Sequence, residues 1–218
     1  MNLYLHESIL LLGLDDEKGN FTAPSGYLLY GFSAALIMDL ILAERLTIEE
    51  KRLKLITNAI TDNKLLNDVL RRLQEKKKPP KVSSWIHHLA QISGKLKPWA
   101  LENLIQKKIL ERREEKILWV FKVNRYPSAN TTPENELRAR LRQIIFENAE
   151  PQPKERMLLA LVSACQMDRD LLPDKNERKL AKDRIKTLTE DSEMRKLVGD
   201  AIQEMQLIVT AATTTAVI

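Results

Sequence analysis

Only one of the 218 residues is a cysteine, Cys165, so no intrachain disulfide can form and a reducing compartment is the expected home. Histidine is nearly as scarce. His87 and His88 are adjacent, about 100° apart on a helix, and cannot chelate one metal as an i, i+4 pair would. His6 stands alone, and no Cys or acidic partner lies at ligand spacing. The six glycines are scattered singly and form no phosphate-cradling loop. Asp15-Asp16-Glu17 reads as an exposed acidic turn rather than a cation site, because three consecutive carboxylates do not converge on one ion. Cys165 sits on an apolar helical face, where a thiol is structural. With no nucleophile, metal cluster or tuned acid–base pair legible, nothing in the residues argues for catalysis, and neither an enzyme nor a cofactor is expected.

Long hydrophobic runs are also missing. The longest uncharged stretch, Phe21 to Met38, is diluted by Pro24, Ser25, Gly26, Tyr27, Tyr30, Gly31 and Ser33, and Asp39 closes it. A helix buried in a protein core is the expected reading, not a membrane span. The start, Met1 to Leu14, has no basic lead-in, so no signal peptide is expected.

Charge is present in quantity and unevenly placed. Residues 1–70 carry a net −4, residues 71–125 a net +10, and residues 126–218 a net −1. Such a basic middle third draws polyanions: lipid headgroups, nucleic acid or acidic protein tails. A solvated lysine-rich surface is the plain alternative.

The pattern predicts a mainly α fold, one helical domain over residues 1–218 around a buried hydrophobic helix, with one or two β-hairpins. That helix is expected over Ser25–Glu44 and should be the most buried one. Alternation over Arg45–Glu49 and Arg52–Ile56 predicts two short strands. Asn67–Glu75 reads as a helix broken by Lys76-Lys77-Lys78-Pro79-Pro80, the best linker candidate. A second helix over Lys81–Ile92 is expected to end at Gly94, and Pro98 to open a third, followed by a hairpin over Ile109–Val123. Thr132-Pro133-Glu134 marks a helix start with a hydroxyl cap. Beyond it, Met157, Leu158, Leu161, Val162 and Cys165 share one stripe, and Met194 through Val209 a second. Helix then hairpin is also a winged-helix order, with Pro98–Leu110 as reader and Ile109–Val123 as wing, so nucleic-acid binding stays open.

Trp85 and Trp99 flank the basic segment Gly94–Lys97; aromatics beside lysines suit a membrane interface or ordinary helix packing. Trp119, in an alternating strand, is expected in the core. An anion site is expected at Lys95, Lys97 and Trp99. Gly94 would turn the chain, and a helix N-terminus at Pro98 would add free N–H groups.

Four segments in collinear order resemble the Golgi phosphoprotein 3 family: Ile9-Leu10-Leu11-Leu12-Gly13-Leu14-Asp15-Asp16-Glu17-Lys18-Gly19, Leu36–Leu46, Asn103–Leu110 and Arg156–Leu161. The resemblance implies a mainly helical domain and a non-enzymatic module. It would attach peripherally to membranes in the cytoplasm, bind phosphatidylinositol 4-phosphate and hold protein tails. The family's headgroup Trp falls at Pro24, one Arg at Ser33, and two others near Gly94 and Lys97. Only Lys97 keeps a positive charge, which implies weak, headgroup-tolerant binding. An adaptor for protein tails is a further reading. A compact chain of this kind is similar to the family's prokaryotic members.

Overall fold

The uncharged run before Asp39 becomes α2 (Ser25–Leu42), and every residue from Gly31 to Leu40 is buried. A computed structural model of the chain describes residues 3–22, 25–117, 121–190, 206–207 and 210–211. Pro24, Trp119 and the stripe from Met194 to Val209 lie outside them. Of the described residues, 60% are helical.

A helix apolar on all sides must be covered on all sides. Here α2 packs against α1 (Leu5–Leu12), α3 (Lys64–Gln74), α4 (Val82–Gln91), α7 (Pro153–Ala164) and strand β1 (Leu46–Glu49). It is not, however, the most completely buried helix. All eight residues of α1 are buried, polar ones included. His6, Glu7 and Ser8 tolerate this because each is bonded, to Asp39, Lys107 and the Tyr4 carbonyl respectively.

Between α2 and α3, β1 pairs antiparallel with β2 (Arg52–Leu55), Leu46 opposite Leu55 and Glu49 opposite Arg52. Glu50 and Lys51 both take positive φ, 48° and 61°, as a two-residue hairpin turn requires. The Lys76–Pro80 segment is no free linker. Leu53 N–H donates to the Pro80 carbonyl at 3.0 Å, and Val82 N–H to the Lys51 carbonyl at 3.0 Å. The end of the segment is therefore tied to β2 through a single bridge between Arg52 and Lys81.

α4 ends at Gln91, close to the expected end at Ile92, and α5 runs Ser93–Gln106, which corrects one expectation: Gly94 lies in its first turn and Pro98 lies inside the helix instead of opening it. The reason is packing. Ser93, Leu96, Ala100, Leu101 and Leu104 form one buried stripe at three- and four-residue spacing that runs straight through both breakers. After α5 comes the hairpin β3 (Arg113–Ile117) and β4 (Phe121–Arg125), and then α6 (Thr132–Phe146). No hydroxyl caps α6; the Asn130 side chain accepts the Thr132 N–H at 3.0 Å instead. The stripe Met157–Cys165 is buried, as its spacing predicts, on α7 and the residue after it. α8 (Asp168–Leu171) and α9 (Lys175–Glu190) follow, with α9 against α6 and α7.

The acidic turn Asp15–Gly19 proves structural. The Asp15 side chain accepts the N–H groups of Glu17 and Lys18, at 3.1 and 2.7 Å. Gly19 adopts φ 62° and would place a Cβ 2.3 Å from backbone atoms of Tyr126 and Pro127, so only glycine fits this crossing.

Candidate functional site

The positive charge of the middle third is sorted by the fold into paired and unpaired cations. Three of the four cations of the β3–β4 hairpin are paired: Lys122 faces Glu114 at 3.0 Å, Arg125 faces Glu115 at 2.5 Å, and Arg113 pairs with Glu111 just before β3. Arg112 pairs with Glu102 and Lys107 with Glu7. Arg71 and Arg72 share Asp68, and Arg71 also takes Glu75.

Among the described residues Lys95, Lys97, Lys108 and Lys116 are also in no ion pair, while a group of six cations gathers at one place. The strand contact of β2 with residues 79–81 sets Lys51 and Arg52 beside Lys81 and the Lys76-Lys77-Lys78 run; Arg52 and Lys81 are direct bridge partners. Arg52 Nη1 also donates to the Pro79 carbonyl at 2.7 Å. All six cations are exposed, and among the described residues none is in an ion pair. Over residues 49–56 and 75–81, seven cations stand against three acids. Lys76 reaches back so that its Nζ lies 5.4 Å from the Trp85 ring centre. Trp85 itself is buried and stacks on His88, whose pKa is lowered by burial and by the nearby Lys76 and Arg72 charges. Trp85 is thus a core residue and not an interfacial one.

Lys95, Lys97 and Trp99 do not form one cluster. They lie on one helix at i, i+2 and i+4, so Lys95 and Trp99 share a face while Lys97 points about 200° away from Lys95. Lys97 is half-buried, its Nζ 4.2 Å from the Phe21 ring centre, and burial lowers its pKa. Lys95 is exposed and Trp99 is 49% exposed. The free N–H groups here belong to the turn beginning at Ser93, not to Pro98. Of the positions carried over by resemblance, Ser33 is fully buried and donates to the Leu29 carbonyl, and Gly94 is exposed.

A second feature was not foreseen. A cleft of about 1130 Å³ is lined by Tyr4, Glu7, Asp39, Asp62, Trp99, Lys107 and Lys154 among others. Asp39 of α2 forms its floor and accepts the Leu5 and His6 N–H groups, at 2.8 and 3.0 Å, with His6 Nδ1 2.7 Å from its other side. Glu7 accepts Tyr4 N–H at 2.9 Å and holds Lys107 with both oxygens, at 2.7 and 2.6 Å. Tyr4 donates its hydroxyl to Asp62, and burial and Asp62 raise its pKa. Burial lowers the Lys154 pKa. The carboxylates thus close off the N-terminus of α1, and acids and cations balance, so the cleft presents no net charge to a ligand. Asp39 carries no local sequence signal, its partners lying 33 and 34 residues away, and Glu7 shows locally only as an acid in the first turn of α1, its partner Lys107 lying 100 residues away.

Cys165 is fully buried, its pKa pushed up to about 12 by burial. Among the described residues no helix is long and apolar enough to cross a membrane, and no group of three His, Cys, Asp or Glu side chains is placed to hold a metal ion. A family model described as Golgi phosphoprotein 3 (GPP34) matches residues 5–205.

Proposed function

The chain belongs to the Golgi phosphoprotein 3 family, and on that premise we propose that it is a non-enzymatic module that attaches peripherally to anionic membranes from the cytoplasmic side. The observation that carries this reading is the group of six exposed, unpaired cations at Lys51, Arg52, Lys76, Lys77, Lys78 and Lys81. Each cation held near an anionic surface contributes about 1 kcal/mol, so such a group is enough for reversible attachment. These are mostly lysines, point charges that do not fork onto a phosphate. Binding is therefore expected to follow surface charge and not to select phosphatidylinositol 4-phosphate. Lys95, beside the exposed Trp99, adds one further charge; Lys97 is spent on Phe21.

Nucleic-acid binding by α5 and the β3–β4 hairpin is disfavoured by the same charge accounting. A wing that binds phosphate needs several unpaired cations, and on this hairpin Arg113, Lys122 and Arg125 are paired, leaving Lys116 alone among the described residues. The test is flotation with phosphatidylserine-containing and with pure phosphatidylcholine vesicles over a salt series, beside a duplex-DNA titration. Salt-sensitive flotation with the anionic vesicles alone is expected. Tight DNA binding without flotation would replace this reading by the nucleic-acid one. Neither would leave a protein-tail adaptor.

A further inference from the structure

Resting on the membrane reading above, we infer that the Leu55–Ile60 loop is the part of the protein that enters the bilayer, with the unpaired cations as its collar. Three large apolar side chains in six residues are left in solvent: Leu55 at 39%, Ile56 at 57% and Ile60 at 77% exposure. Leu53, two residues earlier on the same face of β2, is 1% exposed, so the strand leaves the core surface between these positions. No charge interrupts the stretch from Leu55 to Thr61.

The loop is fixed along its length. Ile56 N–H donates to the Arg45 carbonyl at 2.9 Å. Asn58 accepts from Gln74 at 3.3 Å, and Thr61 is clamped to Asn67 by its N–H at 2.7 Å and by the Asn67 amide on its carbonyl at 2.9 Å. The backbone at both ends of the loop is thereby occupied, as is the Ala59 N–H by the Thr57 hydroxyl, while the apolar side chains are left exposed. That combination suits an apolar phase, where unsatisfied backbone is costly.

Charge complementarity identifies that phase. Gln74, which holds Asn58, ends α3 two residues before Lys76, and β2 runs from Arg52 directly into Leu55. The apolar side chains and the cation group therefore share one end of the molecule. A protruding apolar loop rimmed by lysines matches a bilayer with an anionic headgroup layer, in which side chains sink below the charges that hold them.

Ile60→Cys tests this directly. Cys165 is fully buried, so in the folded chain an environment-sensitive fluorophore reacts at position 60 alone. With phosphatidylserine-containing vesicles the label is expected to shift to the blue and to be quenched by lipids brominated on the acyl chain. A label at Leu180→Cys, exposed on α9, is expected to do neither. Ile56→Ser/Ile60→Ser is expected to float roughly tenfold less well, or worse, for the apolar area withdrawn. If the protein floats but the label at 60 stays unshifted, or shifts no more than that at 180, the loop does not insert, and surface binding stands without it. If the unmodified protein does not float, both readings fall.

Discussion

Glu134 is the side chain on which pH acts most clearly. It is buried at the start of α6, paired with Arg138 at 2.7 Å and set near Asp16. Burial raises its pKa from 4.5 to about 7, with Asp16 adding to the rise and Arg138 opposing it. The folded state therefore holds this proton more tightly than the unfolded chain does. Its stabilising contribution is complete below pH 4.5 and is lost as pH rises through about 7. Glu134→Gln, which mimics the protonated form, is expected to stabilise the protein above pH 7 by on the order of 2–3 kcal/mol. The gain should shrink toward zero below pH 4.5. Denaturant unfolding at both ends of that range checks it; an equal effect at both would show that Glu134 is ionised throughout. None of this was legible in the sequence. Glu134 read there only as an acid in a first turn, favoured by the helix dipole. Its burial comes from the Asp15–Gly19 turn docking on residues 126–128, more than a hundred residues away in the chain.

At the scale of elements, short-range chemistry predicted most helices and both hairpins, and failed where tertiary packing overrode it. The apolar runs of α2 and α7 and the alternation of β1 and β2 are local signals and lie where expected. The start of α5 is not local: the break near Gly94 is present, between Gln91 and Ser93, but Pro98 does not open the next helix, because the buried stripe from Ser93 to Leu104 holds it through that residue. The start of α3 was legible and missed. Asn63 caps it, accepting Leu65 N–H at 2.9 Å and Leu66 N–H at 3.1 Å, four residues before the start that apolar spacing suggested. Because Asn63 is itself buried, Asn63→Ala should cost about 1–2 kcal/mol and Asn63→Asp much less, measured by chemical denaturation. Equal losses for both would mean that the cap bond contributes little. α3 is the element against which the Leu55–Ile60 loop is clamped, so the cap also bears on the membrane-facing end.

For the molecule as a whole, net charge says less than its distribution. The middle third carries a net +10, but many of its cations face acids on the hairpin, α3 and α5. The sequence shows the excess and cannot show which part is paired, because Lys51 and Arg52 join Lys76–Lys81 only through a strand contact some thirty residues apart. For the same reason the local signals at Gly94 and Pro98 favoured Lys95, Lys97 and Trp99 as the site, whereas α5 separates Lys97 from the other two. The account turns on which cations meet the membrane, and one comparison measures this most directly: the partition of Lys76→Glu/Lys77→Glu/Lys78→Glu and of Lys95→Glu/Lys97→Glu onto phosphatidylserine-containing vesicles, beside the unmodified protein. At about 1 kcal/mol per cation, losing three charges weakens binding roughly a hundredfold, and reversing them weakens it further. That loss is expected for the triple exchange and a much smaller one for the double. Unchanged partition of the triple variant, with binding abolished in the double, would contradict it and return the site to α5.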